Sequence, residues 1–165
     1  MQKTCIQFLR KCLLLLGLVL FVTITAQAQV QQYIAKYKPV VAQLSEEYGI
    51  PVSVVTAISI IESGAGKSRN CRLLNNHFGI TGKNNLKKTK GIRSKFKQYA
   101  TAEDSFKDFY KMVAKKKYYP KLKGNVNYKP WLDAMAKAGY STQPEVWKKL
   151  MTNAIKKYKL DAAIK

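Results

Sequence analysis

The chain has 165 residues, with 30 Lys and Arg against 9 Asp and Glu, which gives a net charge of +21. This length fits one domain, and three cysteines are too few for a disulfide-rich scaffold. His77 is the single histidine. The sequence therefore contains no His/Cys cluster with the spacing of metal ligands, and we predict no metal site.

The first 28 residues have the pattern of an export signal. A basic stretch that includes Arg10-Lys11 precedes an apolar run from Cys12 to Ala26, and Ala26-Gln27-Ala28 has the small residues that signal peptidase recognises. The run is shorter than the roughly 20 residues of a membrane-spanning helix, so an uncleaved anchor is the weaker alternative. We expect residues 1–28 to be a signal peptide. Residues 29–165 would form one exported domain in the periplasm, the cell envelope or the extracellular space.

Without the predicted signal peptide the chain keeps a net charge of +18. A net charge of this size indicates the kind of binding partner and says little about the fold. Because the polyanions outside the cell membrane are peptide-stem carboxylates and phosphate-bearing polymers, we predict anionic cell-envelope polymers as partners. Nucleic acid is the competing partner, but no DNA- or RNA-binding fingerprint accompanies the charge. A solvated lysine-rich surface is the alternative for any individual lysine, and we expect a monomer.

The spacing of apolar residues predicts five helices. The second is apolar on nearly every side, which is typical of a buried helix. Thr101 with Asp104, and Thr142 with Glu145, have the spacing of capping boxes. The predicted helices cover about Gln31–Tyr48, Val52–Glu62, Thr101–Lys117, Trp131–Ala138 and Thr142–Tyr158.

The helical pattern disappears between Cys71 and Tyr99, where Gly and Asn are frequent. Two short strands are expected there, around Phe78–Thr81 and Ser94–Tyr99, forming a small β-hairpin or an irregular lobe. The predicted fold class is α+β, mostly α.

Glu62 is the acidic residue without an evident structural role. The other eight occupy exposed positions, polar helix faces, caps or first turns, where acids offset the helix dipole. Glu62 instead ends the apolar helix, so apolar surroundings and the negative end of the dipole both favour its protonated form. A protonated carboxyl group can donate to a glycosidic oxygen. The structural alternative is a buried glutamate that pairs with a lysine or caps a backbone group.

Cys71 and His77 are a second candidate pair, as a nucleophile and its base. Six residues of loop between them give no geometric support for that chemistry, so we set it aside.

Four motifs occur in a fixed order: Glu62-Ser-Gly-Ala-Gly-Lys-Ser68, Asn76-His-Phe-Gly-Ile80, Phe96-Lys-Gln-Tyr99 and Ala138-Gly-Tyr-Ser-Thr142. Together they resemble the glucosaminidase domain of glycoside hydrolase family 73, which occurs in flagellar rod-associated peptidoglycan hydrolases and autolysins. The similarity covers about Tyr33–Leu160.

The resemblance implies a lysozyme-like fold, with a small β-hairpin lobe over a helical lobe. It implies hydrolysis of the β-1,4 bond between N-acetylglucosamine and N-acetylmuramic acid in peptidoglycan, without a cofactor. It places the catalytic acid at Glu62 and a second catalytic-centre residue at Tyr140. The residues expected to contact substrate are Ser63, Asn76, Phe78, Gly79 and Tyr119.

Two departures from the family pattern affect the mechanism. Many members have an aromatic residue at the position of Ala65, and many have a second glutamate in the β-lobe. Here no acidic residue occurs between Glu62 and Glu103, so the two-carboxylate scheme lacks a partner. Assistance by the substrate's own N-acetyl group, oriented by Tyr140, needs only one protein acid.

Two other functions stay open on the sequence. A lytic transglycosylase shares the lysozyme-like fold and also works with one glutamate followed by serine. A non-catalytic cationic protein that binds the wall or a membrane would account for the charge alone.

Overall fold

The computed structural model describes residues 27–162. The predicted signal peptide therefore lies outside the described residues, except for its last two positions. Contacts divide the chain into two units, residues 1–32 and 33–165. In the first unit, residues 27–32 are helical. Within residues 27–162, no helix combines the length and the apolar character needed to cross a membrane.

The second unit is mostly helical, as predicted. Its described helices are α1 (33–48), α2 (Val52–Ser63), α3 (Arg69–Leu74), α4 (Leu86–Lys90), α5 (Ala102–Ala114), α6 (Tyr119–Leu122), α7 (Tyr128–Lys137) and α8 (Pro144–Lys157). All five predicted helices are present, with ends shifted by a few residues.

Helix α2 forms the centre of the core. Its residues are buried on almost every side, including Ser53, Thr56 and Ser59, and only Ile61 and Glu62 are exposed. The helix packs against α7 and α8. Each fully buried Ile or Val contributes about 1.5–3 kcal/mol, so the central position of α2 is a large source of stability. The prediction of a buried second helix is confirmed.

Helix α5 brings an aromatic face to the same core. The Thr101–Asp104 capping box at its start is confirmed, since each residue's side chain accepts the other's backbone N–H at 3.1 Å. Phe106, Phe109 and Tyr110 are completely buried. Capping fixes where α5 begins, and therefore which side chains face inward.

The predicted hairpin is not formed by the described residues. Antiparallel pairing is limited to one isolated bridge between Thr81 and Phe96, flanked by a hydrogen bond from the Lys97 N–H to the Ile80 carbonyl of 2.8 Å. The Asn84 side chain donates to the carbonyl oxygens of Ser94 and Phe96. The Asn84 amide thus occupies carbonyl oxygens that backbone N–H groups would bond to in a longer β-ladder.

Two further expectations need correction. Residues 71–99 were expected to lack helix, but they include most of α3 and all of α4, which are too short for apolar periodicity to reveal. The Thr142–Glu145 capping box is absent, because α8 begins at Pro144 with Gln143 at the N-cap. Proline suits the first helical position, where its missing N–H costs no hydrogen bond.

Candidate active site

Glu62 lies in the last turn of α2, at the point where the chain reverses. Gly64 adopts the left-handed conformation with φ +57°, and Ala65 follows with φ +49°. The N–H of Ala65 donates to the carbonyl of Ile60 at 2.9 Å, which caps the end of the helix. Gly66 is also left-handed. The turn leaves Glu62 exposed, while its neighbour Ser63 is buried.

The carboxyl group of Glu62 has the character predicted for a proton donor. Desolvation raises its pKa, although the residue is exposed and its desolvation is therefore partial. Among the described residues, no ion pair or hydrogen bond involves its side chain. The alternative of a glutamate held by a lysine or a backbone group therefore does not describe Glu62.

Gly79 and Phe96 lie beside this carboxyl group. A Cβ atom placed on Gly79 would be 3.8 Å from Oε2 of Glu62 and 3.9 Å from Cε1 of Phe96. Gly79 has φ +66°, a conformation that L side chains rarely adopt. The turn thus presents bare backbone to the carboxyl group, and the Phe96 ring borders the same space.

Tyr140 follows the end of α7 and lies near enough to Glu62 for the carboxyl group to affect its pKa. Its ring contacts Trp147 with centroids 5.0 Å apart and Phe109 at 6.4 Å. Burial is the main cause that raises the pKa of Tyr140, and the nearby Glu62 and Tyr118 raise it further. The phenol therefore stays protonated and can donate a hydrogen bond. Within residues 27–162 its hydroxyl has no hydrogen-bonding partner, so this donor is available to a ligand.

Three of the residues expected to contact substrate have buried side chains: Ser63, Asn76 and Phe78. Ser63 is completely buried, donates to the Ser59 carbonyl at 2.6 Å and accepts from the Gly66 N–H at 2.9 Å. Asn76 is 1% exposed, and Phe78 stacks on Phe109 with centroids 4.1 Å apart. These side chains are packed inside the fold, and the hydrogen bonds of Ser63 hold the turn that follows Glu62.

Asn76 supports the Gly79 turn from inside. Its Nδ2 donates to the carbonyls of Ile80 and Lys97, each at 2.8 Å, and its Oδ1 accepts from the Ile80 N–H at 3.1 Å. One side chain thus joins the segment that carries Gly79 to the segment that carries Phe96. The positions of Gly79 and Phe96 beside Glu62 therefore both depend on the Asn76 side chain.

Tyr119 makes a structural contact, while the neighbouring Tyr118 lies nearer the site. The Tyr119 hydroxyl donates to the Tyr48 carbonyl at 2.6 Å, which ties α6 to the end of α1. Tyr118 is close enough for its charge to raise the pKa of Tyr140, and burial raises its own pKa to about 12. Tyr118 was not among the residues predicted from the sequence.

Cys71 and His77 were set aside because the loop between them gave no support for contact between their side chains, and that reason is wrong. The structure brings Sγ of Cys71 within 3.3 Å of Nε2 of His77, and the Tyr33 hydroxyl lies 2.7 Å from Nδ1. Burial raises the pKa of Cys71 to about 11 and lowers that of His77 to about 4. A neutral, buried thiol beside a neutral imidazole is a packed polar cluster, and not an activated nucleophile.

Among residues 27–162, no acid contributes to the pKa of Glu62, so the described residues show no second carboxylate close to it. Asp108, which lies in α5, accepts hydrogen bonds from Lys97 at 2.6 Å and from the Tyr99 hydroxyl at 2.8 Å. These hydrogen bonds lower the pKa of Asp108 against the effect of its desolvation. In the part of the chain that the structure describes, no group of three His, Cys, Asp or Glu could hold a metal ion.

The fold is shared with known glycoside hydrolase domains. The glycoside hydrolase domain of FlgJ from Salmonella typhimurium has a TM-score of 0.63 and 20% identity, over 81% of this chain and 90% of that one. The catalytic domain of the autolysin Auto from Listeria monocytogenes has a TM-score of 0.65 and 24% identity, over 81% and 86%. At these identities the likeness shows the fold alone.

The family follows from the sequence comparison. The model of the glucosaminidase family, described as mannosyl-glycoprotein endo-beta-N-acetylglucosaminidase, matches residues 38–160, and the chain belongs to that family. The exo-glucosaminidase LytG of Bacillus subtilis is 33% identical in an alignment 138 residues long, and the match covers 72% of this chain. The chain spans about half the length of LytG, 48%.

Proposed function

We propose that the protein hydrolyses the β-1,4 bond between N-acetylglucosamine and N-acetylmuramic acid in peptidoglycan, with Glu62 as the general acid. The observation that carries this proposal is the Glu62 carboxyl group, which has a raised pKa, is exposed, has no protein partner within residues 27–162, and lies near Gly79 and Tyr140. Membership of the glucosaminidase family supports the reaction type.

Within residues 27–162, no second acid influences the pKa of Glu62, and this supports a substrate-assisted mechanism. Glu62 donates its proton to the glycosidic oxygen as the bond from that oxygen to C1 breaks. The carbonyl oxygen of the same sugar's N-acetyl group bonds to C1 and forms a cyclic oxazolinium ion. The Glu62 carboxylate then takes a proton from water as the water oxygen bonds to C1 and the ring reopens. Two inversions at C1 give net retention.

Tyr140 has the properties of a group that orients the acetamido side chain. Its phenol remains protonated, lies near Glu62 and has no hydrogen-bonding partner among the described residues. A donated hydrogen bond would hold the acetamido group against C1 during attack. The hydrolysed linkage is in the cell wall, so we further propose that residues 1–28 direct export and that the cationic surface binds anionic envelope polymers.

The test is mass spectrometry of purified peptidoglycan after digestion. The wild type is expected to release fragments that end in reducing N-acetylglucosamine. Glu62→Gln is expected to lower kcat/KM roughly a thousandfold, the range for a lost general acid. Glu47→Gln, which alters an exposed glutamate at the end of α1, is the matched control and should retain activity.

Other products separate the alternatives. Fragments that end in 1,6-anhydro-muramic acid would assign a lytic transglycosylase. Sacculus binding without any release of fragments by the wild type would assign a non-catalytic binder. Full activity in Glu62→Gln would remove Glu62 from the mechanism.

A further inference from the structure

A second groove shares Phe96 with the site around Glu62. It has a volume of about 300 Å³, at the lower end of the range for ligand pockets. Apolar side chains and three cationic side chains form its lining, together with Asn70 and Ser94. The apolar residues are Leu73, Leu86, Ile92 and Phe96, and the cationic residues are Arg69, Arg93 and Lys95. We call it the arginine groove.

The positive charge of the arginine groove is not neutralised by the described protein. No acidic residue lines it, and none of the ion pairs within residues 27–162 involves Arg69, Arg93 or Lys95. The groove between α7 and α8 shows the contrasting case. There Lys148 lies 3.1 Å from both Asp133 and Glu145. Three exposed cations around a concave apolar surface therefore favour an anionic ligand from outside.

The position of the arginine groove relates it to the glycan. Phe96 lines the groove, and its ring also lies 3.9 Å from the Cβ position of Gly79, next to the Glu62 carboxyl group. The arginine groove and the site around Glu62 therefore share the Phe96 side chain as a border. A substituent on a sugar next to the cleaved bond would reach the groove without leaving the strand.

We propose that the arginine groove binds the peptide stem of the peptidoglycan strand, with Arg69 and Arg93 pairing to its free carboxylates. The inference rests on the proposed function for the identity of the strand. The stem is short, is rich in alanine methyl groups and carries free carboxylates. Methyl groups suit the apolar floor, and the planar guanidinium group can hold a carboxylate through two parallel hydrogen bonds.

The test measures binding in Glu62→Gln protein, so that the ligand is not cleaved. The ligand is a soluble glycan tetrasaccharide with peptide stems, either with free stem carboxylates or with the same carboxylates amidated. Arg69→Gln/Arg93→Gln removes two charges from the arginine groove. Lys129→Gln/Lys149→Gln removes two charges from the groove between α7 and α8 and is the matched control. A glycerol phosphate oligomer tests the other envelope anion.

The arginine pair is expected to weaken binding of the free-carboxylate ligand about tenfold, the upper range for two exposed ion pairs. Binding of the amidated ligand should not change, and the lysine control should stay within about twofold. Equal losses in both pairs, an equal loss with the amidated ligand, or a loss confined to the phosphate oligomer would each overturn the assignment. Product analysis with Glu62 intact reports the proposed function separately, so either proposal can fail alone.

Discussion

The carboxyl group of Glu62 lies against the backbone of Gly79, where a Cβ atom would be 3.8 Å from Oε2. Gly79 takes φ +66°, and the turn that carries it is fixed by hydrogen bonds to the buried Asn76. The space beside the Glu62 carboxyl group, the proposed proton donor, therefore depends on this one glycine. A substrate atom has to fit into the space that the Glu62 carboxyl group and the Gly79 backbone border.

Gly79→Ala is expected to reduce activity more than stability. An L residue in the left-handed conformation costs about 1 kcal/mol, and relief of that strain moves the turn against Glu62. Misplacement by about 1 Å can cost roughly a hundredfold in rate. Gly91→Ala is the matched control, because Gly91 has φ +67° and open space at its Cβ position. Urea denaturation should show similar losses in both variants, and kcat/KM should fall at least tenfold in Gly79→Ala alone. Equal activities would contradict the assigned position of Gly79.

The sequence predicted the five longer helices and singled out Glu62 as the candidate acid, because both inferences depend on local patterns. Val54, Ile58 and Glu62 lie on one continuous helix, so apolar periodicity and a helix-ending Ser-Gly-Ala-Gly segment were sufficient. The structural roles of Ser63 and Asn76 could not be predicted, since they depend on which way a side chain points after the turn. Ser63 and Asn76 were expected to contact substrate because they belong to the motifs shared with the family.

The other features that the sequence did not predict depend on contacts between segments that are far apart in the chain. Cys71 and His77 meet because Tyr33, 44 residues before His77, closes the cluster with a hydrogen bond. No local pattern encodes that partner. Of the two predicted forms of residues 71–99, the β-hairpin is not shown and the irregular lobe fits better, because the side chain of Asn84 bonds to carbonyls ten and twelve residues further along the chain.

Tyr140→Phe is expected to lower kcat and leave stability nearly unchanged. Its hydroxyl bonds to no other residue within 27–162, so removal leaves no protein group unsatisfied. If the phenol orients the acetamido group, kcat should fall about tenfold to a hundredfold. Steady-state kinetics on soluble glycan and thermal unfolding measure the two effects.

Tyr119→Phe is the paired control with the opposite expectation. It removes the 2.6 Å hydrogen bond to the Tyr48 carbonyl, which should cost about 1 kcal/mol of unfolding free energy. Its activity should match the wild type. A fall in kcat for Tyr119→Phe without loss of stability would instead return Tyr119 to the substrate-binding residues.

The pH dependence of activity should report the protonated form of Glu62. Because desolvation raises the pKa of Glu62 above 4.5, the acid form persists to higher pH than for an ordinary glutamate. Activity is lost as the pH rises through that pKa, since the carboxylate has no proton to donate. The alkaline limb of kcat/KM for the free enzyme should therefore have its midpoint above 4.5. A limb centred at or below 4.5 would show that Glu62 is not the titrating proton donor.

The stability of the fold should depend on pH through His77, which is 2% exposed. Burial, with a smaller contribution from the Lys36 charge, lowers the pKa of His77 from 6.5 to about 4, against a small raising effect of Glu103. Between these two values the unfolded chain binds a proton that the native protein does not. Unfolding is therefore favoured as the pH falls from 6.5 towards 4.

This titration should make the native state about 2 kcal/mol less stable at pH 5 than at pH 7.5, beyond the contributions of other groups. His77→Gln keeps a neutral hydrogen-bonding side chain beside Tyr33 and Cys71 but cannot titrate. Urea denaturation of both proteins at the two pH values isolates the effect, because acids such as Asp108 titrate equally in each. The variant should be less stable than the wild type at pH 7.5, since it packs less well, and its loss on acidification should be smaller by about 2 kcal/mol. Parallel pH profiles would mean that His77 is protonated in the native cluster, and the hydrogen bond between Tyr33 and His77 would then have to involve an imidazolium ion.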